Sequence, residues 1–91
     1  MTTQHERFAE ELAERFETRR APERHAELCG AFADRSAAEL VDQFGRVEAL
    51  LQGLEHTAEE SLGLAGSLVF GEARERAESA RRVCEQRAER G

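Results

Sequence analysis

Two residues of this 91-residue chain, His25 and Cys29, have the spacing of a base and a thiol nucleophile on one helical turn. A thiol becomes a strong nucleophile only when it loses its proton, so this pair is the first place to look for covalent catalysis. Both residues, however, fall on the same apolar helix face as Leu28 and Phe32. Cysteine commonly packs as a small core residue. We therefore expect a structural pair and no enzymatic activity.

The histidines are also candidate metal ligands, and a metal site needs three or four ligands that converge. His25 with Cys29 supplies two, and His56 with Glu59 supplies two more. The Glu-x-x-His element of di-iron helical bundles is missing, because no histidine has an acid three residues before it. We expect neither a metal nor another cofactor.

Near the end of the sequence, four polar residues recur at helical spacings of four, three and four: Glu75, Ser79, Arg82 and Gln86. The arginine can pair with a phosphate, and the serine and glutamine can hydrogen-bond a guanine. The pattern resembles the ligand-binding repeat of actinobacterial anti-sigma factors that hold cyclic di-GMP between antiparallel helices. That family has an aspartate where this chain has Arg90. The resemblance implies a nucleotide sensor, and the competing interpretation is a solvated helix face.

The elements that position these residues are all expected to be helices. Isoleucine is absent and valine is rare, whereas strands favour β-branched and aromatic residues. Hydrophobic residues make up 40% and charged residues 35% of the chain, which suits a thin helical core. We predict an all-α fold, either a small helical bundle or a long helical hairpin of three to four helices, in a single domain spanning residues 1–91.

Local signals divide the chain into four helical stretches. The first is predicted over 3–20, and Pro22 favours the start of a second that ends near Arg35. Ser36 and Glu39 form a capping box that opens the third. That helix either breaks at 53–57 or continues to about Leu68, and we favour continuity. The uncharged residues 62–71 are predicted to form a buried turn, followed by a last helix over 72–90.

The third helix carries a heptad-spaced apolar seam, which is typical of helix-on-helix packing. Its residues are Leu40, Phe44, Val47, Leu51, Leu54 and Ala58. We predict that the core consists of the first five of these together with Phe8, Leu12, Phe16, Leu28 and Phe32.

Two features predict a surface for a partner. Leu68, Val69 and Phe70 follow one another and cannot all face one core. The last helix has only a stripe of small residues, which buries little area by itself. The predicted partner-binding residues are Leu68, Val69, Phe70, Ala73, Ala77 and Ala80. The long heptad run and the thin alanine stripe also favour a homodimer of C2 symmetry.

Charge limits the choice of partners. The net charge is −6, and residues 36–70 contain six acids against Arg46 alone. An acidic chain repels a phosphate backbone, so we expect no direct binding to nucleic acid. The first 20 residues are too charged for a secretory signal, and no apolar run approaches a membrane span, so we predict a cytoplasmic protein.

The leading functional prediction is a non-enzymatic interaction module that regulates, adapts or inhibits a protein partner. The first alternative is the anionic-nucleotide sensor. The second is an acidic mimic that occupies the nucleic-acid site of a basic protein.

Overall fold

The chain folds as an all-α protein, as the sequence predicts. The structure, a computed structural model, describes residues 3–16 and 21–90, and in those ranges it contains four helices and no strand. The helices are α1 (Gln4–Glu14), α2 (Pro22–Ala33), α3 (Ala37–Leu62) and α4 (Leu64–Glu89). None of them is long and apolar enough to cross a membrane.

Helix starts follow the sequence signals closely. The Thr3 hydroxyl accepts a hydrogen bond from the Glu6 amide at the start of α1. Pro22 occupies the first turn of α2, where a missing N–H costs nothing. The Ser36 hydroxyl accepts from the Glu39 amide at 3.1 Å, which caps α3 as predicted.

Helix ends follow those signals less well. α1 ends at Glu14, so the predicted extension through residues 17–20 lies outside the described residues. α3 runs unbroken through 53–57, as favoured, but it ends at Leu62 rather than near Leu68. The Thr57 hydroxyl donates a hydrogen bond to the Gly53 carbonyl within this unbroken helix. The turn lies inside the predicted segment 62–71 but is much shorter, because only Gly63 separates α3 from α4, and the last helix begins at Leu64 rather than at residue 72. Gly63 has a φ of 64°, which favours glycine, and this single residue reverses the chain.

α3 and α4 form an antiparallel hairpin, and each helix has 26 residues and is therefore about 39 Å long. α1 and α2 have 11 and 12 residues, less than half that length. They pack together and cover only the open end of the hairpin. We call that end the base (37–46 and 77–89) and the remainder the tip half (47–76). The molecule measures 49 × 30 × 15 Å.

The core lies in the base. Its buried residues are Phe8, Ala9, Leu12, Ala13, Phe32, Leu40, Ala80 and Cys84, with Phe16, Leu28 and Phe44 packed against them. The rings of Phe16, Phe32 and Phe44 lie 5.8–6.0 Å apart and tie α1, α2 and α3 together.

The predicted core is correct for α1 and α2 and partly wrong for α3. Val47 and Leu54 are 43% and 45% exposed, so they do not belong to the core. The small residues Ala77, Ala80 and Cys84 of α4 are buried instead.

Candidate functional site

The most exposed large apolar side chains of the described residues all lie in the tip half. They form two groups in the sequence. The first, which we call the α3 face, consists of Val47, Leu50 and Leu54; the second, which we call the tip patch, consists of Leu62, Leu64, Leu68 and Val69. Contiguous exposed apolar surface on a soluble protein commonly marks an interaction site.

The α3 face is exposed because α3 presents a different set of residues to α4 than the heptad predicts. Two glutamates, Glu48 and Glu55, point across the hairpin toward α4. They directly follow Val47 and Leu54 in the sequence. The Arg74 Nε donates to Glu55 at 2.9 Å, and Arg81 donates to both carboxylate oxygens of Glu48. This rotation turns the apolar residues outward.

These cross-hairpin ion pairs are partly shielded from solvent. Their carboxylates are only 18–19% exposed. Hydrogen bonds from Arg81 to Glu48 and Glu85 hold the pKa of its guanidinium above the ordinary value, and the hydrogen bond to Glu55 does the same for the pKa of Arg74. Both arginines stay charged, so charge-assisted hydrogen bonds add to the packing that fixes the register of the hairpin.

Glycine allows the two helices of the tip to approach closely. A Cβ at Gly66 would overlap the backbone carbonyl of Ala58, and a Cβ at Gly71 would lie 3.1 Å from a Glu55 carboxylate oxygen. The sequence analysis interpreted this segment as a turn. In the structure it forms the first two turns of α4, where the absent side chains let α4 pack on α3.

The predicted partner-binding residues divide into two sets. Leu68 and Val69 are each 65% exposed, and Phe70 and Ala73 are half-buried. Ala77 and Ala80 are 3% and 0% exposed, so they belong to the chain's own core and not to its accessible surface. The sequence had no signal for this difference, because the alanine stripe is continuous.

An apolar groove adjoins the α3 face. Its volume is about 240 Å³, and Phe32, Leu40, Phe44 and Val47 are among the residues that line it. Val47 belongs to both features, so the groove between α2 and α3 continues onto the exposed face of α3.

The predicted nucleotide-binding residues lie along α4, and two of them already have partners. Ser79 accepts a hydrogen bond from Arg15 at 3.3 Å, and Arg82 donates to Glu78 at 2.6 Å. Glu75 is exposed, and Gln86 lines a separate groove between α1 and α4. That groove includes none of the other three residues.

The pair His25 and Cys29 does meet, with the thiol 3.5 Å from the His25 Nε2. Burial, followed by the nearby Glu10 and Glu14 carboxylates, raises the pKa of Cys29. Burial also raises the pKa of Cys84 to about 11. These shifts favour the neutral thiol, the opposite of what a nucleophile needs. No group of three metal-ligating side chains occurs among residues 3–16 and 21–90.

The acidic segment is largely engaged within the chain. Glu48 and Glu55 pair with arginines of α4, and Asp42 pairs with Arg46 at 3.3 Å. His56 lies 3.3 Å from Glu60. An acidic mimic of nucleic acid requires outward-facing carboxylates; Glu48 and Glu55 are turned toward α4, whereas the Asp42 and Glu60 side chains are 63% and 70% exposed.

Comparison with known proteins gives no further guide. The chain matches no protein-family model, and no curated protein or solved structure resembles it significantly. The functional argument therefore rests on the side chains themselves.

Proposed function

We propose that this protein is a non-enzymatic interaction module that docks through the tip half of its α3–α4 hairpin on helices of a protein partner. The observation that carries the proposal is the concentration of exposed apolar side chains in residues 47–69. Val47 adjoins α2 across the apolar groove, and the other exposed residues lie further toward the turn at Gly63. Leu50 and Leu54 are four residues apart, and they lie three and seven residues after Val47. This is the spacing with which one helix anchors in the groove of another.

The partner we propose is a second copy of the chain. The side of α3 that carries the α3 face has a single charged residue, Arg46. The residues on this side are 43, 46, 47, 50, 53, 54 and 57. A surface with so little charge meets its own copy without repulsion. Two hairpins packed through these faces form a four-helix arrangement and cover the α3 faces that one chain leaves in solvent.

The test is the oligomeric state of the full chain, measured by analytical ultracentrifugation from micromolar to millimolar concentration. We expect a reversible dimer that weakens at least tenfold in the double variant Leu50→Gln with Leu54→Gln, since hydrophobic anchors dominate interface energy. A second variant, Leu68→Gln with Val69→Gln, measures the contribution of the tip patch. The matched control is Ala26→Gln, which adds the same side chain at an exposed site on α2.

Two results contradict parts of this proposal. A wild-type chain that stays monomeric throughout excludes the second copy and leaves a different helical protein as the partner. Variants that match the wild type in both self-association and capture of native proteins exclude the tip half as a docking surface. Circular dichroism must show that each variant folds, which we expect because the substituted side chains are exposed. The predicted cytoplasmic location stays a prediction.

A further inference from the structure

A second surface, at the opposite end of the molecule, has the composition of an anion site. A groove of about 320 Å³ lies between α1 and α4 in the base. α1 contributes Gln4 and Arg7 to its lining, and α4 with its C-cap contributes Gln86, Arg87 and Arg90. The groove thus brings together three guanidinium groups and two amides from helices far apart in sequence.

Among the described residues, these three arginines lack a nearby carboxylate, whereas four other arginines, all in α4, each have one. Arg74, Arg76, Arg81 and Arg82 each have a glutamate within 4 Å. Within the described part of the chain, no carboxylate lies that close to Arg7, Arg87 or Arg90. Glu11 is the one acid that lines the groove, so the local charge is positive on a chain whose net charge is −6. Such a local excess of positive charge attracts small anions.

Packing against an aromatic ring orders one of the three arginines. The Arg87 guanidinium carbon lies 5.7 Å from the centre of the Phe8 ring, and Phe8 belongs to the buried core. A cation–π contact of this kind holds the guanidinium plane and leaves its N–H groups free to donate. The groove therefore combines a half-buried arginine, Arg87, that packs on the core with the exposed Arg7 and Arg90.

We propose that this groove binds the phosphate group of a small molecule. Guanidinium groups recognise phosphate oxygens through paired, charge-assisted hydrogen bonds, and three of them converge here. Gln4 stands at the first position of α1, where the positive end of the helix dipole adds to the attraction. A long polyanion is disfavoured because the chain as a whole has a net charge of −6, so the ligand class is a free phosphate or a phosphorylated metabolite rather than a nucleic acid.

The direct test is a two-dimensional NMR titration of the full chain with three probes at low salt. Inorganic phosphate reports the shared chemistry, AMP reports added recognition of a nucleoside, and adenosine lacks the phosphate. We expect phosphate and AMP to shift the amides of residues 4–11 and 83–90, and adenosine to leave them unmoved. Tighter binding of AMP than of phosphate identifies a nucleotide site, and equal binding identifies phosphate itself as the ligand.

Two matched pairs of variants separate a site from general charge. Arg90→Gln is expected to weaken phosphate binding about tenfold, whereas Arg24→Gln, an equal charge change on an exposed residue of α2, leaves it unchanged. Glu11→Gln removes the acid in the groove and is expected to strengthen binding about threefold. The control for this variant is Glu10→Gln, because Glu10 is an exposed residue of α1 that does not line the groove.

Three results overturn the proposal. The first is the absence of shifts at groove residues with millimolar phosphate and AMP. The second is equal weakening by Arg24→Gln and Arg90→Gln, which indicates general charge attraction. The third is that adenosine, which has no phosphate, shifts the same amides as AMP does.

Discussion

The base and the tip half of the α3–α4 hairpin are built from the same two helices but are stabilised differently. In the base, α1 and α2 add a second layer, and Leu12, Leu40 and Cys84 are almost completely buried. In the tip half, α3 and α4 have only each other. Large apolar side chains there remain in solvent, and partly shielded ion pairs and close backbone contact join the helices.

The difference follows from helix length. Two helices of 11 and 12 residues cannot cover a hairpin whose helices have 26 residues each. A 91-residue chain has little area to bury, and this one concentrates its burial at one end. The base therefore supplies most of the stability, and the exposed tip half is available for docking.

The strongest test of this comparison pairs a leucine of the base with one of the tip half. Leu12→Ala removes a side chain that is 0% exposed and is expected to lower the free energy of unfolding by about 2–5 kcal/mol. Leu54→Ala removes one that is 45% exposed, and we expect a loss below about 1 kcal/mol. Urea denaturation followed by circular dichroism measures both.

Two precautions keep this measurement decisive. Leu12→Val, with an expected loss of about 1 kcal/mol, replaces the alanine variant if that variant does not fold. All variants are measured at a concentration where the chain is monomeric, because a dimer contact would add to the effect of Leu54→Ala. Equal losses at the two positions would contradict the division into a stabilising base and an exposed tip half.

A smaller effect tests how the tip is held together. Gly66→Ala places a methyl group against the Ala58 carbonyl, so the helices must separate, and we expect a loss of about 1–3 kcal/mol. Gly53→Ala is the matched control, because a Cβ there meets nothing within 4 Å. It replaces a flexible residue within a helix and is expected to raise stability by about 0.5–1 kcal/mol.

Thermal unfolding of the two glycine variants gives the answer directly. Opposite signs support close contact of the backbones in the tip. A gain in stability for both variants would show that α3 and α4 lie further apart at the tip than in the structure.

The smallest effect concerns the two cysteines. Cys29 is half-buried and Cys84 is 0% exposed, so iodoacetamide at pH 8 is expected to modify Cys29 first. Cys84 should react only when the base opens. Mass spectrometry over time measures both rates, and a Cys29→Ser variant isolates the slower one. Equal rates would contradict the burial of Cys84 in a stable base.

Alkaline pH extends this test to stability. The pKa of Cys84 is raised to about 11 in the folded chain, from an ordinary value of 9.0. Between these values the folded state holds more protons than the unfolded state, so stability falls as pH rises from 9 to 11. We expect a shallower decline in Cys84→Ala. An identical pH profile in that variant would exclude the buried thiol as its cause.

Local sequence signals predicted the helices better than they predicted the helix contacts. Pro22 and the capping residue Ser36 mark the starts of α2 and α3 correctly, because capping depends on neighbours in sequence. A spacing of four residues also indicates ion pairs within a helix, and Glu72 with Arg76 and Glu78 with Arg82 form such pairs. The same spacing separates Arg74 from Glu78, yet Arg74 pairs with Glu55 of α3.

The candidate sites were only partly predictable for the same reason. Leu68 and Val69 were predicted as exposed partner residues, and they are exposed in the structure. Val47 and Leu54 were predicted to be buried, since heptad spacing shows that residues share a face without showing what covers that face. The groove lined by Arg7, Arg87 and Arg90 brings together residues about 80 positions apart in the sequence. Sequence patterns over a few residues therefore could not predict it.

By itself, the sequence determined that the protein is helical, where its first three helices begin and that it contains more apolar surface than one thin core can bury. These properties depend on residue type and short-range spacing. Only the tertiary structure decided which face of α3 meets α4, which alanines are buried and which arginines remain without a carboxylate nearby. A rotation of α3 by one residue exchanges Glu48 and Glu55 for Val47 and Leu54, and the packing of whole helices fixes that choice.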